Sequence, residues 1–276
     1  MSEFISFLTD NLFIQHAVIA SVLSSIACGI TGTFVVVKKI SYIAGGIAHA
    51  VVGGLGIAYF LNFNPLIGAL VFAVVAALAI GLVKLRLRQN EDTVISALWA
   101  IGMAVGLIFA YLTPGYNVNL LSFLFGNILM VTAESNLILL LLDILIVLLV
   151  LLFYKQFVYL SFDEEYTKIR GVKVESLYLL MLVIVALTVV ILVQTVGLIL
   201  VIALITLPSA IALMFSKSIL RMIAVSMLLI LIFNLVGLYV SLTLNLPTGA
   251  SIILITGIGY LSAVAIKRFK VTSQFQ

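Results

Sequence analysis

The sequence is dominated by apolar runs that are about as long as a lipid bilayer is thick. A helix that spans a bilayer needs about 20 predominantly apolar residues, and nine segments approach or exceed that length without a Lys or Arg. They are Leu12–Val37, Ile40–Phe60, Leu66–Val83, Val94–Leu112, Asn136–Phe153, Ser176–Val193, Val196–Met214, Met222–Thr243 and Thr248–Ile266. Another run, Leu120–Val131, is too short to cross and predicts a re-entrant or interfacial helix. We therefore predict an all-α polytopic integral membrane protein with about nine transmembrane helices.

The overall composition leaves no room for a separate soluble domain. Of the 276 residues, 64% are hydrophobic and 9% are charged, whereas about 25% of the residues of soluble domains are charged. No polar segment is long enough to build a second core, so residues 1–276 are expected to form a single transmembrane domain.

The basic residues predict the orientation of the chain in the membrane. All 14 Lys and Arg fall in alternate connections, which the positive-inside rule places in the cytoplasm. These connections are 38–39, 84–88, 155–173, 217–221 and 267–270. We expect a multi-pass protein of the cell (inner) membrane, with its N-terminus outside, its C-terminus cytoplasmic and an odd number of spans. Residues 1–11 contain no basic residue and predict no cleaved signal peptide.

The most polar stretch, "LSFDEEYTKIRGVKVES" at 160–176, predicts a short helix at the cytoplasmic face. Ser161 followed by Glu164 fits a capping box, in which each side chain satisfies a free backbone amide. Acidic residues precede basic ones, as the helix dipole favours, and Gly171 suits a left-handed stop. A capped, charged helix in the cytoplasm indicates a docking surface for a soluble partner; the alternative is an ordinary solvated loop helix.

The stretch "ISYIAGGIAHAVVGGLGIAYF" at 40–60 carries a histidine in the middle of a predicted span. On a helix, Gly45, His49 and Gly53 follow the spacing i, i+4 and i+8, which predicts one glycine-lined face that another helix can approach closely. An intramembrane imidazole can coordinate a transition metal or relay protons. The alternative is a neutral packing histidine bonded to a backbone carbonyl. His16 and Asp143 are weaker candidates of the same kind.

The stretch "VQTVGLILVIALITLPSAIALMF" at 193–215 predicts irregular backbone within the membrane. Gln194 and Thr195 are its polar interruption, Gly197 predicts a tight connection, and Pro208 removes a helix hydrogen bond. Such backbone is tolerated at membrane depth where it lies against protein or a water-filled path. The segment is therefore a candidate for part of a translocation path.

These features together resemble a known family. The chain is similar over nearly its whole length to the permease subunits of ATP-binding-cassette importers for divalent transition metals, the zinc, manganese and iron group. The resemblance lies in "GTFVVVKKISYIAGGIAHAVVGGLGIAYF" (32–60), "EDTVISALWAIGMAVGLIF" (91–109), "LLSFLFGNIL" (120–129), "SFDEEYTKIRGVKV" (161–174), "VGLILVIALITLPSAIA" (196–212) and "LPTGASIILI" (246–255). The same order of parts is similar to the type II importers for cobalamin and siderophores.

The resemblance implies roles for particular residues. Residues 161–173 correspond to the coupling helix, which inserts into a groove of the cytoplasmic ATPase. Its candidate contacts are Asp163, Glu164, Glu165, Thr167, Arg170 and Gly171, with Thr167 where the family often has Ala. His49 matches the family's histidine and is the candidate metal ligand in transit. Gly45 stands where many members have Asp. Candidate residues of the translocation path are Gly45, Gly53, Gln194, Thr195 and Pro208.

The resemblance also implies the composition of the transporter. The expected partners are two copies of a cytoplasmic ATP-binding subunit, a second permease copy that makes a homodimer, and an extracytoplasmic metal-binding protein. The chain is expected not to be an enzyme, since ATP hydrolysis belongs to the separate subunit and no "GxxxxGK[ST]" occurs here. No permanently bound cofactor is implied, and the divalent metal ion is cargo.

Other functions fit the sequence less well. A secondary transporter or channel driven by an ion gradient would be expected to have several intramembrane carboxylates and an inverted repeat, whereas Asp143 is the one carboxylate within a predicted span. An intramembrane enzyme is disfavoured, because neither "HExxH" nor "GxSxG" occurs. The net charge of +4 follows from the positive-inside asymmetry and does not indicate nucleic-acid binding.

Overall fold

A computed structural model describes residues 11–87, 91–113, 126, 128–198 and 201–272. Every regular element in these residues is helical, which confirms the all-α prediction. Ten α-helices follow one another: α1 Leu12–Lys38, α2 Ser41–Phe60, α3 Pro65–Leu82, α4 Glu91–Leu112, α5 Ala133–Phe162, α6 Glu164–Ile169, α7 Val174–Thr195, α8 Val201–Phe215, α9 Ile219–Leu244 and α10 Thr248–Thr272. A π-helical turn, Val83–Leu87, extends α3, and Ile128–Met130 form a 3-10 turn before α5.

The number of helices that can cross a membrane differs from the predicted number. Within the described residues, eight helices are long and apolar enough to span, namely α1–α5, α7, α9 and α10. The ninth predicted span, Val196–Met214, is wrong in its first part because the chain turns at Gly197 with a φ of 80°. Its helix, α8, begins at Val201 and has 15 residues, so it rises about 22 Å, less than the roughly 30 Å of a hydrocarbon core.

The predicted re-entrant segment Leu120–Val131 falls largely outside the described residues, since 120–125 and 127 are not among them. Its last part is the 3-10 turn, in which Ile128 is fully buried. Thr132 then caps α5, because its side chain accepts a hydrogen bond from the backbone amide of Ser135 at 3.2 Å.

Three helices form the buried centre of the bundle. Most of α1, α2 and α7 is enclosed by other helices, whereas α4, α5 and α10 are mostly exposed along their apolar lengths. Helix α1 contacts α5, α7, α8 and α9, and helix α2 packs mainly against α3 and α4. The exposed side chains of the outer helices are large and apolar, as expected of surfaces that face lipid or another membrane chain.

Glycines let α2 lie unusually close to both of its main neighbours. A Cβ added at Gly56 would collide with the backbone of Gly106 on α4, and one added at Gly54 would collide with the backbone of Gly68 on α3. Backbone cannot rotate away as a side chain can. Small residues at helix contacts are typical of membrane bundles, where close packing replaces the hydrophobic effect between helices.

One end of the bundle gathers basic residues and α6, and we call it the basic end. At the C-terminus of α1, Lys38 donates a hydrogen bond to the Leu160 carbonyl at 2.9 Å and pairs with Glu164 of α6. After α3, the ammonium of Lys84 lies 4.6 Å from the ring centre of Tyr178. The structure thus brings three separate polar connections of the sequence to the same end.

Candidate functional site

His49 lies on α2 against a tryptophan of α4. Its imidazole stacks on the Trp99 ring with the centroids 3.8 Å apart and the planes within 8° of parallel. The side chain is half-buried, and its Nδ1 is buried without a hydrogen-bond partner among the described residues. The backbone hydrogen bond expected of a packing histidine is therefore not made at this nitrogen. A buried nitrogen without a partner is unusual, and the imidazole can still bind a metal ion through its other ring nitrogen.

The predicted glycine-lined face of α2 is confirmed in part, because His49 and Gly53 both face α4 whereas Gly45 faces α8. A Cβ added at Gly45 would collide with the side-chain tip of Ile202 on α8, whereas one at Gly53 would meet the Phe72 ring of α3 and the Gly102 carbonyl of α4. Residues eight apart on an α-helix differ by about 80° in direction. That rotation is enough to turn the two glycines toward different neighbours.

The polar interruption lies at the end of α7, where Thr195 is buried against protein. The Thr195 hydroxyl is fully buried and donates to the Leu192 carbonyl at 3.2 Å, and the side chain of Gln194 lies outside the described set. In α8, Pro208 is buried and the preceding Thr206 hydroxyl donates to the Ile202 carbonyl at 2.7 Å. Ile202 of α8 is the residue that the path candidate Gly45 faces, so this segment lies next to Gly45.

The described residues do not supply a complete metal site within one chain. They contain no group of three or more His, Cys, Asp or Glu side chains that could hold a metal ion. Stable transition-metal sites use about three or four protein ligands. His49 alone would hold an ion weakly, and a tighter site would need ligands from outside the described part of the chain, from a second chain or from water.

Two other polar groups within the spans were candidates from the sequence. Asp143 on α5 is 3% exposed, and neither carboxylate oxygen has a hydrogen-bond partner among the described residues. On the same helix, the Asn136 side chain donates to the backbone carbonyl of His16 at 3.1 Å. His16 and Asn136 thus join α1 to α5, and His16 lies apart from His49.

The short helix α6 begins later than the sequence predicted. Asp163 has extended backbone angles, and its side chain accepts a hydrogen bond from the Tyr166 amide at 2.9 Å. Ser161 belongs to the end of α5, where its hydroxyl donates to the Phe157 carbonyl. The predicted capping box from Ser161 to Glu164 is therefore wrong, because helix α5 continues past Ser161 and the cap falls on the first extended residue. Gly171 has a φ of 76°, which confirms the predicted left-handed stop.

Helix α6 is held firmly on one side and exposed on the other. Thr167 is fully buried and its hydroxyl donates to the Asp163 carbonyl at 2.6 Å, which satisfies the hydroxyl at the position where the resemblance expected Ala. Arg170 donates two hydrogen bonds to the Tyr166 hydroxyl, and this contact raises the pKa of the guanidinium. Ile169 is 83% exposed and Phe162 is 71% exposed. A cavity of about 510 Å³ is lined by Glu164, Glu165 and Lys168 of α6, by Leu85 after α3 and by the start of α7.

Trp99 is the site residue that the sequence analysis missed. It is the only tryptophan of the chain, and it lies within the quoted stretch at 91–109. Its partner could not be assigned, because a periodic apolar pattern does not reveal which two helices pack together. The one sequence feature that could have pointed to Trp99 is the presence of an aromatic residue among the small residues of α4.

Comparisons with known proteins agree with this architecture. A probable metal transport system membrane protein of Chlamydia pneumoniae is 37% identical over 93% of this chain and 90% of its own length. The manganese transport system membrane protein MntC of Listeria monocytogenes is 33% identical over 92% and 91%. The solved structure of PsaBC from Streptococcus pneumoniae in complex with Fab superposes with a TM-score of 0.86 at 31% identity, covering 95% and 94%.

The family assignment covers nearly the whole chain. The ABC 3 transport family matches residues 10–267, which confirms the resemblance and favours a permease over an ion-gradient-driven transporter. The eight spanning helices and the shorter α8 agree with such a fold. The chain therefore belongs to the ABC 3 transport family, as a multi-pass membrane permease of metal transport systems.

Proposed function

We propose that the chain is the membrane subunit of an ATP-driven importer of a divalent transition-metal ion, zinc, manganese or iron. The names of its relatives support metal as the cargo and make manganese the first ion to test. The chain would form the translocation path, while a separate cytoplasmic subunit would hydrolyse ATP.

The observation that carries this proposal is the arrangement of α6. A helix of six residues is capped by Asp163 and tied to α1 through Glu164 and Lys38. It presents Ile169 to its surroundings, next to the exposed Phe162 at the end of α5. Exposed large apolar side chains beside polar ones mark protein–protein contacts. Since α6 lies at the basic end, the positive-inside rule places it in the cytoplasm, where an ATPase is available. The same rule puts the N-terminus outside and the C-terminus inside, an arrangement in which α8, although short, returns the chain to the cytoplasmic side before Lys217.

We further propose that His49 holds the ion briefly on its way across the membrane. The described residues of one chain supply too few ligands for a tight site, and a second permease copy in a homodimer would bring a second His49 to the same path. Gly45, Gly53, Gln194, Thr195 and Pro208 remain the proposed neighbours of that path, and would line it in a conformation more open than this one. Weak binding suits a transit site because a tightly held ion would not leave.

The composition of the complex tests the proposed assembly. We expect the chain to co-purify with an ATP-binding subunit as two permeases and two ATPases, and to bind an extracytoplasmic metal-binding protein reversibly. Native mass spectrometry of the detergent-solubilised complex gives the stoichiometry directly. A transport-competent particle with a single permease copy would contradict the homodimer.

A substitution at Gly45 tests whether this position faces the ion. Gly45→Asp should strengthen Mn²⁺ binding by roughly ten-fold, because a carboxylate adds a charged oxygen ligand. The added side chain would displace the tip of Ile202, a flexible side chain that can rotate away. Gly45→Asn is the matched control, since it has nearly the same size without the charge. Isothermal titration calorimetry measures both, and equal affinities for Asp and Asn would remove Gly45 from the path.

A further inference from the structure

The ring pair formed by His49 and Trp99 has a geometry that ordinary packing does not require. The two rings are nearly parallel and in contact, 3.8 Å apart, and Trp99 is itself half-buried. The Tyr42 ring lies 6.5 Å from Trp99 at 45°, and the Tyr42 and Ser96 hydroxyls are hydrogen-bonded at 3.2 Å. His49 is thus the inner member of an aromatic row that joins α2 to α4.

The stack with Trp99, rather than a hydrogen bond at Nδ1, fixes the orientation of the His49 ring. A histidine that ligates a metal almost always donates its other ring N–H to a carboxylate or carbonyl, which fixes the ring plane. Here Nδ1 has no such partner among the described residues. The neighbours along α2 are Ala48 and Ala50, with Gly45 and Gly53 one turn away, and these small residues offer little to wedge the ring in place.

We propose that Trp99 is a positioning residue that fixes the imidazole plane of His49 for passage of the metal ion. The inference rests on the proposed function, since it assigns a role within the same site. A metal ion binds an imidazole nitrogen in the plane of the ring, at its edge. The indole covers a face of the imidazole, so it restricts rotation of the ring without covering the nitrogen lone pair.

The proposal predicts a defined effect of substitutions at position 99. Trp99→Leu keeps an apolar side chain but removes the stacked ring, and should raise the KM for Mn²⁺ uptake roughly five-fold, the equivalent of one aromatic contact. The maximal rate should change little, because the ligand itself remains. Trp99→Phe keeps a flat ring at this position, so its KM should be close to that of the unchanged protein.

A second aromatic pair between the same two helices provides the matched control. Phe60 of α2 and Phe109 of α4 lie 5.3 Å apart, edge to face, and neither is near an ionisable side chain in the candidate site. Phe109→Leu removes an aromatic contact from the α2–α4 interface just as Trp99→Leu does. Its KM should match that of the unchanged protein, which separates ring positioning from general loosening of the helix pair.

Fluorescence of the purified full chain reports on the stack directly, because Trp99 is the only tryptophan. Co²⁺ is the probe, since its unpaired electrons and visible absorption quench indole emission at short range. An ion on His49 would lie about 5 Å from the indole, given the ring separation and a metal–nitrogen bond of about 2.1 Å. Saturable quenching by Co²⁺ in the unchanged chain, and its loss in His49→Ala, are the expected results.

The outcomes separate this inference from the proposed function. If His49→Ala abolishes uptake but Trp99→Leu leaves KM unchanged, or Co²⁺ fails to quench Trp99, the positioning role is overturned and the transit ligand stands. If His49→Ala shifts the Trp99 emission yet leaves uptake unchanged, the stack exists but the transit ligand is wrong, and both proposals fall. A raised KM in Trp99→Leu that Trp99→Phe and Phe109→Leu do not share supports the inference.

Discussion

Replacing His49 with alanine is expected to lower metal uptake by at least about ten-fold. A loss of about this size is already seen when a residue that hydrogen-bonds to a metal ligand is removed, and removal of the ligand itself should cost at least as much. The physical reason is that the imidazole is the candidate donor that meets a cation in the buried part of α2. Without it, the ion would have to leave water with no ligand to replace its hydration. Uptake of ⁵⁴Mn²⁺ by cells that express the complete transporter measures the effect.

His16 provides the control for this experiment. It is the other histidine of the chain, and its contact in the structure is with Asn136 rather than with Trp99. His16→Ala should therefore retain most uptake, and both variants should still insert and bind the ATPase. Unchanged uptake by a normally inserted His49→Ala variant would make His49 a packing residue. The path would then have to be sought along residues 193–208.

Replacing Gly171 with proline is expected to release the ATPase and abolish ATP-driven uptake. Gly171 has a φ of 76°, whereas proline fixes φ near −65°, so the chain cannot leave α6 in its present direction. Because no spanning helix is altered, the variant should still insert in the membrane. Co-purification of the ATPase with the tagged permease measures docking, and ATP-dependent uptake measures coupling.

Further substitutions at and beside α6 distinguish an effect of backbone strain from an effect of lost contacts with the ATPase. Gly171→Asn should be tolerated, since asparagine adopts left-handed angles more readily than most residues and no atom lies within 4 Å of an added Cβ. Ile169→Asp leaves the backbone intact but puts a charge on the most exposed apolar side chain of α6. It should weaken docking, as should reversal of Glu164 and Glu165 to lysine. Full ATPase binding by Gly171→Pro and Ile169→Asp together would show that the ATPase docks elsewhere.

Most of the architecture was predictable because it follows from one strong physical constraint. In lipid, each backbone polar group must be satisfied within the segment, so an apolar run of sufficient length becomes a helix whatever its neighbours are. Eight of the nine predicted spans are therefore found as spanning helices. The exception, Val196–Met214, failed at Gly197, where the tight connection foreseen from the sequence takes up the first residues of the predicted helix.

The details of α6 depended on where the preceding helix stops. The capping-box pattern in the sequence predicted Ser161 as the cap. The structure places Ser161 within α5, whose Phe157 carbonyl accepts its hydroxyl, and leaves Asp163 as the first extended residue. Gly171 was predictable because a left-handed stop after a short helix has few other candidates among the residue types.

Only part of the candidate site could be predicted from the sequence. His49 stood out because an ionisable group within an apolar span is unusual. Its neighbours could not be derived in full, since spacing along α2 predicted one glycine face, whereas Gly53 meets α3 and α4 and Gly45 meets α8. Trp99 lies about 50 residues away in sequence, and only the packing of α2 against α4 brings it to the imidazole.

The central claim, that this chain carries a divalent metal ion under the control of an ATPase, is tested most directly in sealed proteoliposomes. The chain is reconstituted with its ATP-binding subunit and external binding protein, ATP is enclosed on the ATPase side, and Mn²⁺ uptake is followed over time. We predict uptake that requires hydrolysable ATP and continues when ionophores collapse the proton and sodium gradients. Uptake that persists with a non-hydrolysable ATP analogue and stops when the ionophores are added would contradict the claim and establish an ion-gradient-driven transporter.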